Sequence, residues 1–364
     1  MTNILLVSTY KLPSYYLAVK DFQRLENKLG VCFHFDLIRN IRDRDIAWCD
    51  IALIIRGDDP LSADFAQLVY KTKRKVYLLL DDDLLEYRSQ DCDLNNKRRI
   101  KALKKIINIS DCIITPSQYL GEKYKNRFNK PYALINTIVE DIEIRTCEKS
   151  DTTVRILYAA GKGHILFFDA LIRPIMSRLF EKFGNRISFT LIGPQVSEDI
   201  YPGQLFNYEY MPLDTYRELM EKERFDIGLA PLFDFELGRS KYINKYLEYS
   251  RYSICGIYSK VLPYTSVISN YVNGILSENT PEAWYESISS AIDNLALRHE
   301  CVKNAQRQIL SKHRITTVAQ SLISSLPQLV QFKAPAYKVY RYHTMYISFV
   351  YYELMRRVIN ILNL

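Results

Sequence analysis

The stretch FDIGLAPLFDFELGRSKYINKYLEYSRYSICGIYSKVLPYTSVISNYVNGIL, Phe225 to Leu276, decides the fold. It opens on an apolar run, Phe225–Pro231, followed by a loop carrying Asp234, Glu236 and Arg239. A helix is predicted over Lys241–Arg251, and Lys241, Lys245 and Glu248 at i, i+4 and i+7 then share one face. A second apolar run, Ser253–Ser259, leads into a loop with Leu262, Pro263 and Tyr264. Unbroken apolar strands joined by a helix are the pattern of a parallel sheet buried on both faces. In open sheets of this kind ligands bind beyond the carboxyl ends of the strands. Two lysines and a carboxylate there suit an anionic nucleotide, cations for a diphosphate and an acceptor for ribose hydroxyls.

The same alternation extends outward in both directions. On the N-terminal side, strands are predicted at Asn3–Ser8, Phe33–Ile38, Asp50–Ile55, Val76–Leu80, Cys112–Thr115 and Tyr132–Ile138. Helical patterns lie between them at Tyr15–Leu29, Ala63–Lys73 and Asn95–Ile109. A polar stretch, Glu140 to Thr153, reads as a linker. Beyond it the pattern restarts with strands at Arg155–Ala160 and Ile187–Gly193 and helices at Ile165–Phe183, Leu213–Glu223 and Pro281–Asn294. The expectation is an α/β chain of two doubly wound, Rossmann-like parallel-sheet domains, 1–150 and 151–330, facing each other across a cleft. A tail over 331–364 completes it.

Composition narrows the chemistry without choosing it. The net charge of +8 favours anionic partners. Seven scattered cysteines, odd in number and without a Cys-x-x-Cys pair, point away from a disulfide framework or zinc cluster and toward a reducing cytoplasm. The N-terminus has no basic, apolar signal pattern, and no uncharged run approaches the roughly 20 residues of a spanning helix. The tail from Phe332 carries five cations against one acid, with Tyr342, Met345, Tyr346, Phe349, Tyr352, Ile359 and Leu362 on a helical stripe. Such a helix suits a bilayer interface, and it equally suits docking on the N-terminal domain. Nucleic acid is not expected, because the basic residues before the tail lack interleaved aromatics.

Several local features carry chemistry. Gly161-Lys162-Gly163-His164 follows a strand and opens a helix, where glycines admit close backbone approach and free N–H groups favour phosphate. It is neither a Walker loop nor a complete dinucleotide fingerprint. Asp81, Asp82 and Asp83 end a strand and are expected at a cleft mouth or capping a helix. The five histidines show no ligand spacing, and no resident metal or cofactor is expected. The cations of Lys97–Lys105 form either a solvated face or a patch for anionic lipid.

Up to about residue 325 the chain resembles the two-domain GT-B glycosyltransferases, in particular the retaining, family-4-like group of bacterial surface-polysaccharide enzymes. The resemblance rests on Leu80-Asp-Asp-Asp-Leu-Leu, Cys112-Ile-Ile-Thr-Pro-Ser, Asn136-Thr-Ile-Val, Ile156-Leu-Tyr-Ala-Ala-Gly-Lys-Gly-His and Leu191-Ile-Gly-Pro. Its most specific part runs from Asp226 through Lys241-x-x-x-Lys-x-x-Glu to Pro263-Tyr264 and Asn273-Gly-Ile-Leu. It implies metal-independent transfer of a sugar from a nucleoside-diphosphate sugar to a bacterial cell-surface glycan (capsule, lipopolysaccharide) or a lipid-linked acceptor. The location implied is cytoplasmic, peripheral on the inner leaflet through the tail. Lys245 and Lys241 would neutralise the diphosphate, with His164 beside them, and Glu248 would hold the ribose. Gly161, Gly163, Arg239, Asp234, Pro263 and Tyr264 would complete the donor site, and Arg56, Asp58 and Asp82 the acceptor side. Ser240 stands where the family has its first glutamate, with Asp234 or Glu236 as substitutes; Ser253 and Cys255 replace Gly-x-Pro, and Leu262 a glycine. These departures keep two alternatives open: a non-catalytic GT-B scaffold subunit, and a polyol-phosphate polymer enzyme using a CDP-linked donor.

Overall fold

The computed structural model describes residues 1–90, 93–140, 142, 153–336, 350–355 and 357. Nearly all of the expected linker therefore lies outside the described residues. The chain divides into two compact units.

The first unit comprises Met1–Ile138, Ser240–Tyr242 and His313–Leu364. Its strands are β1 (Thr2–Ser8), β2 (Val31–Leu37), β3 (Ile51–Ile55), β4 (Lys75–Leu79), β5 (Cys112–Thr115) and β6 (Tyr132–Leu134). They form one parallel sheet in the order β2-β1-β3-β4-β5-β6. Successive strand side chains point to opposite faces. Leu5, Val7, Ala52, Ile54, Val76 and Leu78 pack beneath helices Pro60–Lys71 and Leu94–Ile109. Ile4, Leu6, Ile51, Leu53, Tyr77 and Leu79 pack beneath helices Pro13–Leu29 and Ile315–Ser325. Both faces are covered, which is why these strands read as continuous apolar runs.

The second unit comprises Val139–Arg239 and Ile243–Lys312. Strands β7 (Val154–Ala159), β8 (Ile187–Ile192), β9 (Leu205–Tyr208), β10 (Ile227–Ala230), β11 (Cys255–Ser259) and β12 (Ile275–Ser277) form a parallel sheet in the order β12-β11-β10-β7-β8-β9. The sequence reading missed β9 and β12. The helix expected over Ile165–Phe183 is broken into Ile165–Leu171, a 3-10 turn at Arg173–Ile175 and Met176–Phe183. Pro174 lies at the break, where its ring excludes the regular backbone bond.

The second unit ends at Lys312, short of the expected residue 330. Helix Ile315–Ser325 places Val318, Ala319 and Leu322 in the same core layer as Phe22 and Leu25 of the first unit. The chain continues along that unit: Thr2 Oγ1 donates to the Phe332 carbonyl at 3.2 Å, and Lys333 Nζ meets Asp50 at 2.7 Å. Residues 350–355 are helical, Tyr352 is buried in the first unit's core, and Tyr10 donates its hydroxyl proton to Glu353 at 2.5 Å. The described part of the tail thus docks on the first unit. Tyr342, Met345, Tyr346, Phe349, Ile359 and Leu362 lie outside the described residues. Among the described residues no helix is long and apolar enough to cross a membrane.

Candidate functional site

Each sheet reverses its winding once, between β1 and β3 in the first unit and between β7 and β10 in the second. Strand order changes direction there, and the loops at the carboxyl ends part to leave a crevice.

In the second unit the loops after β7, β10 and β11 carry the expected residues. Lys162–His164 form a 3-10 turn leading into helix Ile165–Leu171, and Tyr158 donates its hydroxyl proton to the His164 carbonyl at 2.9 Å. The His164 ring meets Phe167 edge-on, and Phe167 packs on Phe233 and Phe235 from the loop after β10. Gly161 and Gly163 are exposed, and a Cβ built on either meets nothing within 4 Å.

The helix after the second loop runs over Asn244–Arg251, three residues later than the expected start. Its first turn sets Lys245 against Glu248, Nζ to Oε1 at 2.7 Å, with both side chains about three-quarters covered (27% and 25% exposed). Tyr216, from helix Leu213–Lys222, donates to the same Glu248 Oε1 at 2.5 Å. Lys245 Nζ lies 3.4 Å from the Tyr216 hydroxyl and over the rings of Tyr216 and Tyr249, at 5.4 and 5.5 Å. Burial first, and then the Glu248 carboxylate, push the Tyr216 phenol well above its ordinary pKa, so it stays a proton donor. Tyr264 is buried in the loop after β11; burial and the same carboxylate raise its phenol too. Tyr258 packs between this ring and Tyr249. His164, Lys245, Glu248 and Tyr264 are therefore held by one framework of buried tyrosines, with Pro263 next to Tyr264.

One expectation changes. Lys241 is not on the helical face with Lys245 and Glu248: it precedes the helix, and Ser240–Tyr242 group with the first unit. The neighbouring side chain explains this, since the Tyr242 hydroxyl accepts from Thr137 N at 3.4 Å and reaches Asn136 at 3.5 Å, away from a helical path. Lys241 makes no hydrogen bond or ion pair among the described residues. Asp234 is gripped by both nitrogens of the Arg239 fork at 2.6 and 2.9 Å, which holds its carboxyl below the usual range. Ser240 is 0% exposed.

In the first unit, Arg56 follows β3 with φ of +53°, a left-handed backbone unusual for a side chain of its size. Its Nη1 donates to Asp81 at 2.7 Å and Asp82 at 3.0 Å, and Ser14 also donates to Asp81. Burial works against the guanidinium's charge, but the two carboxylates outweigh it and raise its pKa. Asp82 remains 37% exposed. Asp58, expected beside them, is instead buried between Arg88 at 2.8 Å and the Arg99 fork at 2.5 and 3.1 Å. Arg99 is thereby drawn inward from the basic helix. Asp83 caps helix Leu84–Ser89 through Glu86 N and is held by Lys123. Tyr216 and Ser14 were not singled out from the sequence; the partner of each is remote along the chain, and no local pattern marks them.

No protein-family model matches the chain, and no curated protein matches it. Solved structures do. The Anabaena protein HepE, in complex with UDP and glucose, superposes with a TM-score of 0.60 at 11% identity, covering 90% of this chain and 100% of that one. Sucrose-phosphate synthase from Thermosynechococcus elongatus gives 0.62 at 12% identity, covering 90% and 99%. A Listeria monocytogenes protein described as a UDP-N-acetylglucosamine 2-epimerase gives 0.58 at 9% identity, covering 93% and 100%. The shared feature is the GT-B fold, two six-stranded parallel sheets with helices on both faces.

Proposed function

We propose that this chain is a glycosyltransferase that takes its sugar from a nucleoside-diphosphate sugar. The observation that carries the reading is the Lys245–Glu248 pair held by Tyr216 next to the second sheet's switch point. Glu248 would accept from the ribose hydroxyls, and Lys245 would balance the diphosphate, whose negative charge grows as the sugar departs. His164 supplies a further donor group from the loop after β7. Gly161 and Gly163 leave backbone N–H groups open, where a side chain would stand in a phosphate's way. Arg239 with Asp234, and Pro263 with Tyr264, would border the sugar. The solved structures with UDP and UDP-glucose support a nucleotide-sugar partner.

The acceptor is a cell-surface glycan or its lipid-linked precursor, met through Arg56 and the Asp81–Asp82 pair in the first unit. Asp58 acts there only by fixing Arg88 and Arg99. Transfer with retention would have the departing phosphate take the acceptor's proton, which needs no resident metal. The exposed Val350, Tyr351 and Leu354 with Arg357 support peripheral attachment to the inner leaflet.

Lys245→Ala should lower release of nucleoside diphosphate from the best donor about a hundred-fold or more while leaving the unfolding midpoint unchanged. Undiminished turnover refutes the assignment. Conversion of a UDP-sugar to its epimer, without transfer, would place the chain with the Listeria protein instead. A non-catalytic scaffold is the second reading, favoured by the buried Ser240 and by Asp234 being tied to Arg239. It predicts nucleotide binding with neither hydrolysis nor transfer.

A further inference from the structure

We infer that Tyr216 is a positioning residue for the nucleotide, acting through Glu248 to set recognition of the ribose. This rests on the donor reading above. A carboxylate reading a ribose diol needs a fixed plane, because each oxygen has to meet its hydroxyl in line. Glu248 sits on a flexible side chain in an eight-residue helix, and a lone i, i+3 lysine would swing it. Tyr216 supplies the second constraint from a separate helix, Leu213–Lys222.

The bonds divide the two carboxylate oxygens. Oε1 takes both protein contacts, from Lys245 Nζ at 2.7 Å and the Tyr216 hydroxyl at 2.5 Å. Oε2 has no partner among the described residues, which leaves it for a ligand hydroxyl. When Lys245 turns toward a diphosphate, Oε1 would lose its cation. The Tyr216 proton, kept on by burial and by the carboxylate itself, still holds that oxygen. The ring beneath Lys245 is retained in phenylalanine, so the hydroxyl can be tested without removing the packing.

The test is calorimetric titration of the full chain with UDP, ADP, GDP and CDP, then with the 2′-deoxy and 3′-deoxy forms of the tightest binder. Wild type should prefer the ribonucleotide, and Tyr216→Phe should weaken its binding about ten-fold, the value of a hydrogen bond to a charged group. The deoxy analogue whose missing hydroxyl faces Oε2 should bind wild type and variant alike. Tyr252→Phe is the control, because the Tyr252 hydroxyl is buried nearby with no hydrogen-bond partner among the described residues. It should leave the ribose preference unchanged. Equal ribose preference in wild type and Tyr216→Phe overturns the inference and leaves the donor reading standing. If wild type binds none of the four diphosphates, the donor reading falls and this inference with it.

Discussion

Asp21→Asn should stabilise the protein at neutral and alkaline pH, and progressively less in acid. Asp21 lies on helix Pro13–Leu29 and accepts a hydrogen bond from Ile138 N at 3.3 Å. Burial is the largest influence on it and outweighs that bond and the nearby charges of Arg24 and Lys20, raising its pKa from 3.8 to about 6. Between those two values the folded chain binds more protons than the unfolded one, so stability falls as pH rises through that window. At about 1.36 kcal/mol per pH unit, a shift of roughly two units costs about 3 kcal/mol once Asp21 is ionised. That figure is a ceiling, because water reaches part of the side chain. Asparagine keeps an oxygen for Ile138 N and carries no charge to desolvate. Urea unfolding of wild type and variant, followed from about pH 4 to about pH 8, isolates the effect, because the other titrating groups cancel in the difference. The variant's advantage should grow with pH and level off above about pH 7. A difference that is constant with pH, or that favours wild type in alkali, refutes the burial argument. Neighbouring bonds make the site informative. Thr137 N donates to Tyr242, and the Thr137 carbonyl meets His313 Nδ1 at 2.8 Å. The three passages of the chain through the first unit therefore meet beside Asp21.

Asp58→Ala should cost about 3 kcal/mol in urea unfolding, because it strands the Arg88 and Arg99 guanidiniums around an emptied pocket. A loss under about 1 kcal/mol would return Asp58 to the rank of an ordinary surface pair. Tyr351→Ser combined with Leu354→Ser should reduce co-sedimentation with anionic phospholipid vesicles without changing turnover on a soluble acceptor, since both side chains are exposed while Tyr352 carries the packing. Equal co-sedimentation removes this helix from the membrane proposal.

Which features were legible follows from how far apart the partners are along the chain. The alternation of apolar runs and helices is local, and a parallel sheet covered on both faces has to be written that way, so the α/β class and most strands could be read directly. The Lys245–Glu248 pair is local too, three residues apart on one helix. The Gly161–Gly163 loop, His164 and Pro263-Tyr264 could be placed because loops at the carboxyl ends of parallel strands follow from strand order. Where the helix containing Lys245 begins could not be read: Lys241 keeps helical spacing, yet the Tyr242 hydroxyl is bonded to residues more than a hundred positions earlier.

Asp58 shows the same limit. Beyond a strand end it reads as a free carboxylate, and only folding brings Arg88 and Arg99 to it across 30 and 41 residues. Tyr216 looks like one more tyrosine on an amphipathic helix until it meets Glu248, 32 residues away. By itself, the sequence determined the strand–helix alternation and the local cation–carboxylate grip, because periodicity and helical spacing act over a few residues. Tertiary structure alone decided which carboxylates are already claimed, which lysine shares the grip and where the tail packs, because those outcomes depend on charges and rings brought together from distant parts of the chain.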